Sequence, residues 1–300
     1  AHAGQRLQHF GRQLKLPPRA AAAPRPVLRA TAWIEALPRT ADGLAAPALV
    51  DIDGDGRADV AYAGDSLGNL WKFDLTGSDD KAWATAFGPH RPLFSARGPR
   101  AQGSGPRNQA QPISTPPIVR PNDRLMRLGT GGQARAAPVG GMMVFFGTGN
   151  SHTECGQRGR QQVQTLYAVL DNSRYRKQPG QALQIHPGTG DTSGCAARPD
   201  GCVPRPTPVG AIAGNGAPLA RQEITAVDHG FATINGVQAL TPETWPEYQG
   251  WYLDLPASGE RLLRPAQFLG GSNILAVHTE TPPAGHGSEE GCRPTKAAAG

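Results

Sequence analysis

Nine residues concentrate the chemistry of this chain. Asp51-Ile-Asp-Gly-Asp-Gly-Arg-Ala-Asp59 places carboxylates at loop positions 1, 3, 5 and 9. Four like charges this close repel one another unless a cation sits among them. Hard cations such as Ca²⁺ take about six to eight oxygens at about 2.3–2.6 Å. Alternate residues of a tightly coiled loop can turn their oxygens toward one ion. The candidate ligands are the side chains of Asp51, Asp53, Asp55 and Asp59 and the backbone carbonyl of Arg57, whose side chain is then free to face solvent. Gly56, at position 6, permits the sharp turn such a loop needs. An EF-hand is excluded, because Tyr62 stands where its bidentate Glu would be and Asp59 leads straight into a strand pattern. Mg²⁺ prefers fewer protein ligands, and Zn²⁺ would call for Cys or His, which are absent nearby. The competing reading is a solvated acidic turn.

Other constellations carry less. His152 and Cys155 could start a metal site but lack a second ligand pair at suitable spacing. Gly-Thr-Gly-Gly at 129–132 and Gly-Thr-Gly-Asn at 147–150 neither open a helix nor precede a Lys-Ser/Thr pair, so strand-turn glycines are expected rather than a phosphate loop. No Gly-x-Ser-x-Gly elbow supports a hydrolase. Trp71, Phe73, Phe145, Phe146, Tyr167, Trp251 and Tyr252 are expected to pack in the core, with a carbohydrate or peptide platform as the alternative. Cys155, Cys195, Cys202 and Cys292 allow two disulfides in three connectivities. A local Cys195–Cys202 bridge is favoured, which leaves Cys155 for Cys292; four reduced thiols are the alternative. Disulfides would imply export.

The elements that must hold the acidic loop read as short strands. Residues 45–50 lead into it and Val60–Gly64 leads out. Leu70–Leu75 returns after a turn at Asp65–Asn69, giving a hairpin. Gly141–Gly147 is an apolar run bounded by glycines, the pattern of a buried strand. Thr165–Leu170, Ile224–Val227, Phe231–Ile234 and Ile274–Thr279 are further strands, and Gly250–Leu255 with Glu260–Leu263 reads as a second hairpin. Residues 98–117 and 178–222 read as loops. No stretch sustains a 3.6-residue apolar period, so little helix is expected. Gly (39) and Pro (29) exceed a fifth of the 300 residues, which suits turn-rich β-structure.

The net charge of +6 resides in residues 1–30, where Arg6, Arg12, Lys15, Arg19, Arg25 and Arg29 meet no acid; the rest of the chain is balanced. A nucleic-acid protein would spread basic residues over a folded face instead, so no nucleic-acid partner is expected. No apolar run approaches the ~20 residues of a membrane span, and no transmembrane segment is expected.

The acidic loop followed by YAGDSLGNLWKFDL, then VFFGTGN, then GWYLDLPASGERLL resembles the PilY family of type IV pilus biogenesis proteins, patchily over residues 45–280. The resemblance implies an all-β fold, all or part of a modified β-propeller with long loop insertions. It implies an exported, non-enzymatic protein at the pilus tip, cell surface or periplasm. Calcium held by Asp51, Asp53, Asp55, Asp59 and the Arg57 carbonyl would regulate pilus extension against retraction, and hence twitching motility and adhesion. Pilins and minor pilins would be partners, with room for a host or surface ligand. Integrin binding is unsupported, because no Arg-Gly-Asp tripeptide is present. The expected organisation is a basic tail or linker over 1–30, a propeller domain over 31–281 in which blades are missing or supplied from elsewhere, and a Gly/Pro-rich tail over 282–300. Two alternatives stand beside it. A quinoprotein-like propeller dehydrogenase would need a full ring of blades and a central cofactor cluster. A calcium-stabilised structural propeller module would have no regulatory role.

Overall fold

The computed structural model describes residues 43–88, 92–99, 107–128, 131–138, 141–150, 162–171, 173–176, 183–186, 219–228, 231–236, 241–244, 248–257, 259–270, 272 and 274–281. The four cysteines, His152 and the tails expected over 1–30 and 282–300 lie outside them. Among the described residues the helical elements are two 3-10 turns, Asp80–Ala82 and Gly131–Gln133. The remaining regular structure is sheet, as the sequence pattern requires.

The first sheet contains β1 (Ala48–Val50), β2 (Val60–Gly64), β3 (Asn69–Asp74), β4 (Ala84–Thr85) and β5 (Phe94–Ser95). Its strands run in the order β1-β2-β3-β4, and β5 also pairs β3. The short strands β6 (Arg97–Gly98) and β7 (Gln109–Ala110) pair with each other. Next come β8 (Ile118–Pro121), the hairpin of β9 (Leu125–Leu128) and β10 (Arg135–Pro138), β11 (Met142–Gly147) and β12 (Thr165–Asp171). The pair β13 (Arg174–Arg176) and β14 (Gln184–His186) precedes β15 (Ala220–Asp228), β16 (Phe231–Gly236) and β17 (Gly250–Asp254), and β18 (Gln267–Phe268) pairs β19 (Leu275–Ala276). A six-stranded sheet forms in the order β16-β15-β17-β12-β11-β8, antiparallel except for β15 beside β17.

Strand alternation explains how the two sheets meet. Successive side chains of a strand point to opposite faces. Val60 and Tyr62 of β2 therefore face one side, with Leu70 of β3, Phe94 of β5, Val144 and Phe146 of β11, and Tyr167 and Val169 of β12. These side chains form one buried cluster between the sheets. Phe146 stacks on Tyr167 at 5.1 Å between ring centres, and Phe94 lies 5.4 Å from Tyr167. Ala61 and Ala63 face the other way, across the strand pair from Phe73 and Trp71, so small residues oppose large ones and the second face is buried too. A sheet covered on both faces needs layers on both sides. Burial of such side chains contributes about 1.5–3 kcal/mol each, which is what holds the layers together.

Several sequence expectations are revised by pairing. Glu260–Leu263 does not return against Gly250–Leu255. β17 instead lies between β12 and β15, while Arg261 bridges to Glu280 and the Leu262 amide donates to Thr148 O. Gly250 allows this, because its φ is +125° and a Cβ there would come 1.9 Å from Ala168 O. The glycines of Gly147-Thr-Gly149 also serve close packing, as a Cβ on Gly147 would meet Leu262 at 2.5 Å. The stretches read as loops over 98–117 and 178–222 contain β7 and β14, strands too short and polar to show a period. The expected strand Ile274–Thr279 is reduced to Leu275–Ala276.

Gly250→Ala combines a forbidden backbone angle with a clash against backbone. It should lower unfolding stability by on the order of 3 kcal/mol in a chemical denaturation curve; a loss below about 1 kcal/mol would show that β17 does not depend on that close approach.

Candidate metal centre

The acidic loop joins β1 to β2, whose three residue pairs, from Ala48↔Tyr62 to Val50↔Val60, fix its ends. The Asp59 amide donates to Val50 O at 2.9 Å and the Leu75 amide donates to Asp59 O at 2.8 Å, so the last acidic residue is locked into the sheet by its backbone. Between these ends the carboxylates wind the chain on themselves. Asp51 accepts from the Gly54 amide at 2.7 Å and, through its other oxygen, from the Gly56 amide at 2.8 Å. Asp53 accepts from the Asp55 amide at 3.1 Å, and Asp55 from the Arg57 amide at 2.9 Å. Asp59 Oδ2 reaches back to the Ile52 amide at 2.7 Å. Gly54 and Gly56 supply φ of +77° and +89°, in the left-handed region that glycine enters without strain.

One carboxylate oxygen from each of Asp51, Asp53 and Asp59 lies within 4.8 Å of the others. Oxygens that share an ion at about 2.3–2.6 Å stand no more than about 5 Å apart. The three therefore meet the spacing a single cation imposes, and as oxygens they suit a hard ion. Asp55 and Arg57 belong to the same loop, but Asp55 is outside this group of three; like the others, it accepts from a loop amide, that of Arg57. Asp51 is exposed, whereas Asp59 is only 7% exposed. Burial pushes the Asp59 carboxyl above its usual range, against the opposing Ile52 hydrogen bond, and the charges of Asp53 and Asp51 push it further.

Downstream of the loop, Asp65 shows what a self-sufficient carboxylate looks like. Its oxygens accept from the Leu67 and Asn69 amides, Asn69 Nδ2 and Trp71 Nε1, all at 2.8–2.9 Å. That network accounts for Asp65, Asn69 and Trp71 in the YAGDSLGNLW run. Gly68 (φ +82°) completes the turn, since a Cβ there would lie 2.6 Å from Gln111 O.

A model of the PilY1 beta-propeller domain matches residues 30–189. The chain belongs to the PilY1 beta-propeller family. It is similar to a type IV pilus biogenesis factor PilY1 homolog of Xylella fastidiosa, 28% identical over 224 residues, covering 73% of this chain and 11% of the relative. It is also 32% identical over 145 residues to the type IV pilus biogenesis factor PilY1 of Pseudomonas aeruginosa strain UCBPP-PA14, covering 44% of this chain and 11% of that protein. These matches span only 11% of the length of either relative. The crystal structure of the P. aeruginosa PilY1 C-terminal domain aligns with a TM-score of 0.44 and 24% identity, over 80% of this chain and 45% of the other. Among the described residues no helix is long and apolar enough to cross a membrane.

For this member of the PilY1 family, sequence reading found the acidic loop but missed a buried cluster behind it. Lys72 and Asp171 are fully buried and 2.5 Å apart. Tyr62 Oη donates to the same Asp171 oxygen at 2.6 Å, Lys72 Nζ donates to Tyr175 Oη at 2.7 Å, and Ser173 donates to the other Asp171 oxygen through its amide and hydroxyl. Burial, the largest single influence, would raise the Asp171 pKa and lower that of Lys72, but the neighbouring charges and hydrogen bonds together outweigh it, so Asp171 is lowered and Lys72 raised. The signal was a lysine inside the apolar run Leu70-Trp-Lys-Phe73. The aromatic platform is not supported at Trp71, Phe73, Phe146 and Tyr167, which are all buried.

The raised Asp59 carboxyl has a stability consequence of definite sign. A carboxyl whose folded pKa is raised favours the fold below its unfolded pKa and loses that contribution as pH rises through the folded pKa. In EDTA, Asp59→Asn keeps an acceptor for the Ile52 amide and removes one repelling charge. Its melting midpoint relative to wild type should therefore rise between about pH 4 and pH 7. A variant that falls progressively below wild type over that range would contradict the assignment.

Proposed function

We propose that this chain is a calcium-binding, non-enzymatic part of a type IV pilus biogenesis protein. The carrying observation is the cluster of Asp51, Asp53 and Asp59 oxygens at the head of a core strand, in a chain of the PilY1 family. The relatives' names supply the pilus, and the loop supplies the chemistry. Ca²⁺ accepts many oxygen ligands in flexible geometry, which suits a coiled loop of carboxylates. In this reading Asp51, Asp53 and Asp59 hold the ion, and Asp55 and the Arg57 carbonyl complete the shell. The ion would relieve the repulsion that otherwise strains the loop.

The protein would act outside the cytoplasm, at the pilus tip, cell surface or periplasm, in contact with pilins and minor pilins. Occupancy of the loop would bias pilus extension against retraction, and through it twitching motility and surface adhesion. Local ion binding changes function when it orders a segment that a partner reads.

Calcium titration of the chain by calorimetry should give one site. Asp59→Ala or Asp53→Asn should weaken it at least tenfold, and Asp79→Asn, an exposed acid outside the loop, should leave it unchanged. Cells carrying the loop variants should twitch abnormally. Unchanged affinity in both loop variants would remove the site, whereas lost affinity with normal motility would leave a structural ion without a regulatory role.

A further inference from the structure

The loop is tied to the contact between the two large sheets at two points. Ile52 lies between Asp51 and Asp53, and its amide is held by Asp59 Oδ2. Its side chain packs against the buried cluster between the sheets, as does Val50 at the end of β1. The second tie is Tyr62, three residues after Asp59 on β2. Its side chain is fully buried, and its hydroxyl donates to Asp171 at the end of β12. Lys72, the cross-strand partner of Tyr62, donates to the same Asp171 oxygen, and its Nζ also reaches Tyr175 of β13.

Resting on the calcium reading above, we infer that loop occupancy is transmitted to the second sheet through Ile52 and the Tyr62–Asp171–Lys72 contact. Both ties join a candidate ligand to the seam across very short stretches of chain. Ile52 is adjacent to two of the clustered acids, and Tyr62 follows the third within one strand. Fixing Asp51, Asp53 and Asp59 about one ion fixes the backbone from which Ile52 enters the core and the start of the strand that carries Tyr62. The strand that receives this order is β12, because Asp171 is the acceptor shared by Tyr62 and Lys72. Tyr62 and Ile52 are positioning residues here and touch no ion. A buried ion pair with hydrogen-bonded neighbours suits this role, since its geometry tolerates little displacement before a charge is left unpaired.

Hydrogen exchange of the full chain, with and without saturating calcium, tests the inference. In wild type, calcium should slow exchange in the loop (52–60) and at least about fivefold in β12 (166–171), with a smaller effect in β15 and β16 at the far edge of the sheet. Tyr62→Phe keeps the ring and removes only the hydroxyl. It should retain loop protection and calcium affinity within about threefold, but lose most of the calcium effect on β12. Ile52→Val, which keeps the core filled more fully than alanine, should weaken the effect on β12 in the same direction. Loop protection without any change in β12 overturns the coupling and leaves the ion site standing. Equal slowing of β12, β15 and β16 is ordinary ligand stabilisation of the whole fold and also overturns it. Absence of loop protection and of binding heat overturns the calcium reading and the coupling together.

Discussion

Mutual repulsion among three carboxylates is the constraint around which this part of the molecule is organised. Asp51, Asp53 and Asp59 are brought together by the hydrogen bonds that wind the loop and by the β1–β2 pairing that closes its ends. Asp59 is nearly buried whereas Asp51 is exposed, and burial first, then the charges of Asp53 and Asp51, raise the Asp59 carboxyl. Asp65 provides the internal contrast. It is also buried, yet its two carboxylate oxygens accept from four neutral donors that replace the water it has lost. A divalent ion among the Asp51, Asp53 and Asp59 oxygens would balance the charge gathered in the loop.

The rest of the fold holds this loop against a stiff background. β2 is buried on both faces, with Val60 and Tyr62 in the core between the sheets and Ala61 and Ala63 against Trp71 and Phe73. Its partner β3 carries Lys72 into the same interior, where Asp171 neutralises it. Removing one member of such a pair leaves a buried charge, which commonly costs about 3–5 kcal/mol. A second charged contact ties the segment before β7 to the end of β17. Arg107 donates to both oxygens of Asp254 at 2.5 and 2.9 Å, and its guanidinium lies 4.3 Å over the Tyr252 ring. Polar contacts of this kind fix register between sheets that hydrophobic packing alone would leave free to slide.

What the sequence reveals is local. The acidic loop, the hairpin after it, the apolar run around Phe145 and Phe146 and the strand Thr165–Leu170 are all legible, because their spacing and turn residues lie within a few positions of one another. The family resemblance is legible for the same reason and agrees with the beta-propeller model that matches residues 30–189. Long-range pairing is not legible. Nothing near Gly250 announces that β17 lies between β12 and β15, one of them parallel, rather than folding back on 260–263. Asp171 reads as the polar end of a strand until Lys72, far upstream, is placed beside it. Within the loop, spacing alone treats Asp55 like its neighbours, whereas the group of clustered oxygens comprises Asp51, Asp53 and Asp59.

Diffraction from crystals of this chain grown in millimolar calcium, with anomalous differences collected, addresses the central claim directly. The account predicts a strong peak with oxygens of Asp51, Asp53 and Asp59 at about 2.3–2.6 Å. Ordered water alone at that position, with the three side chains keeping only their bonds to loop amides, would contradict it.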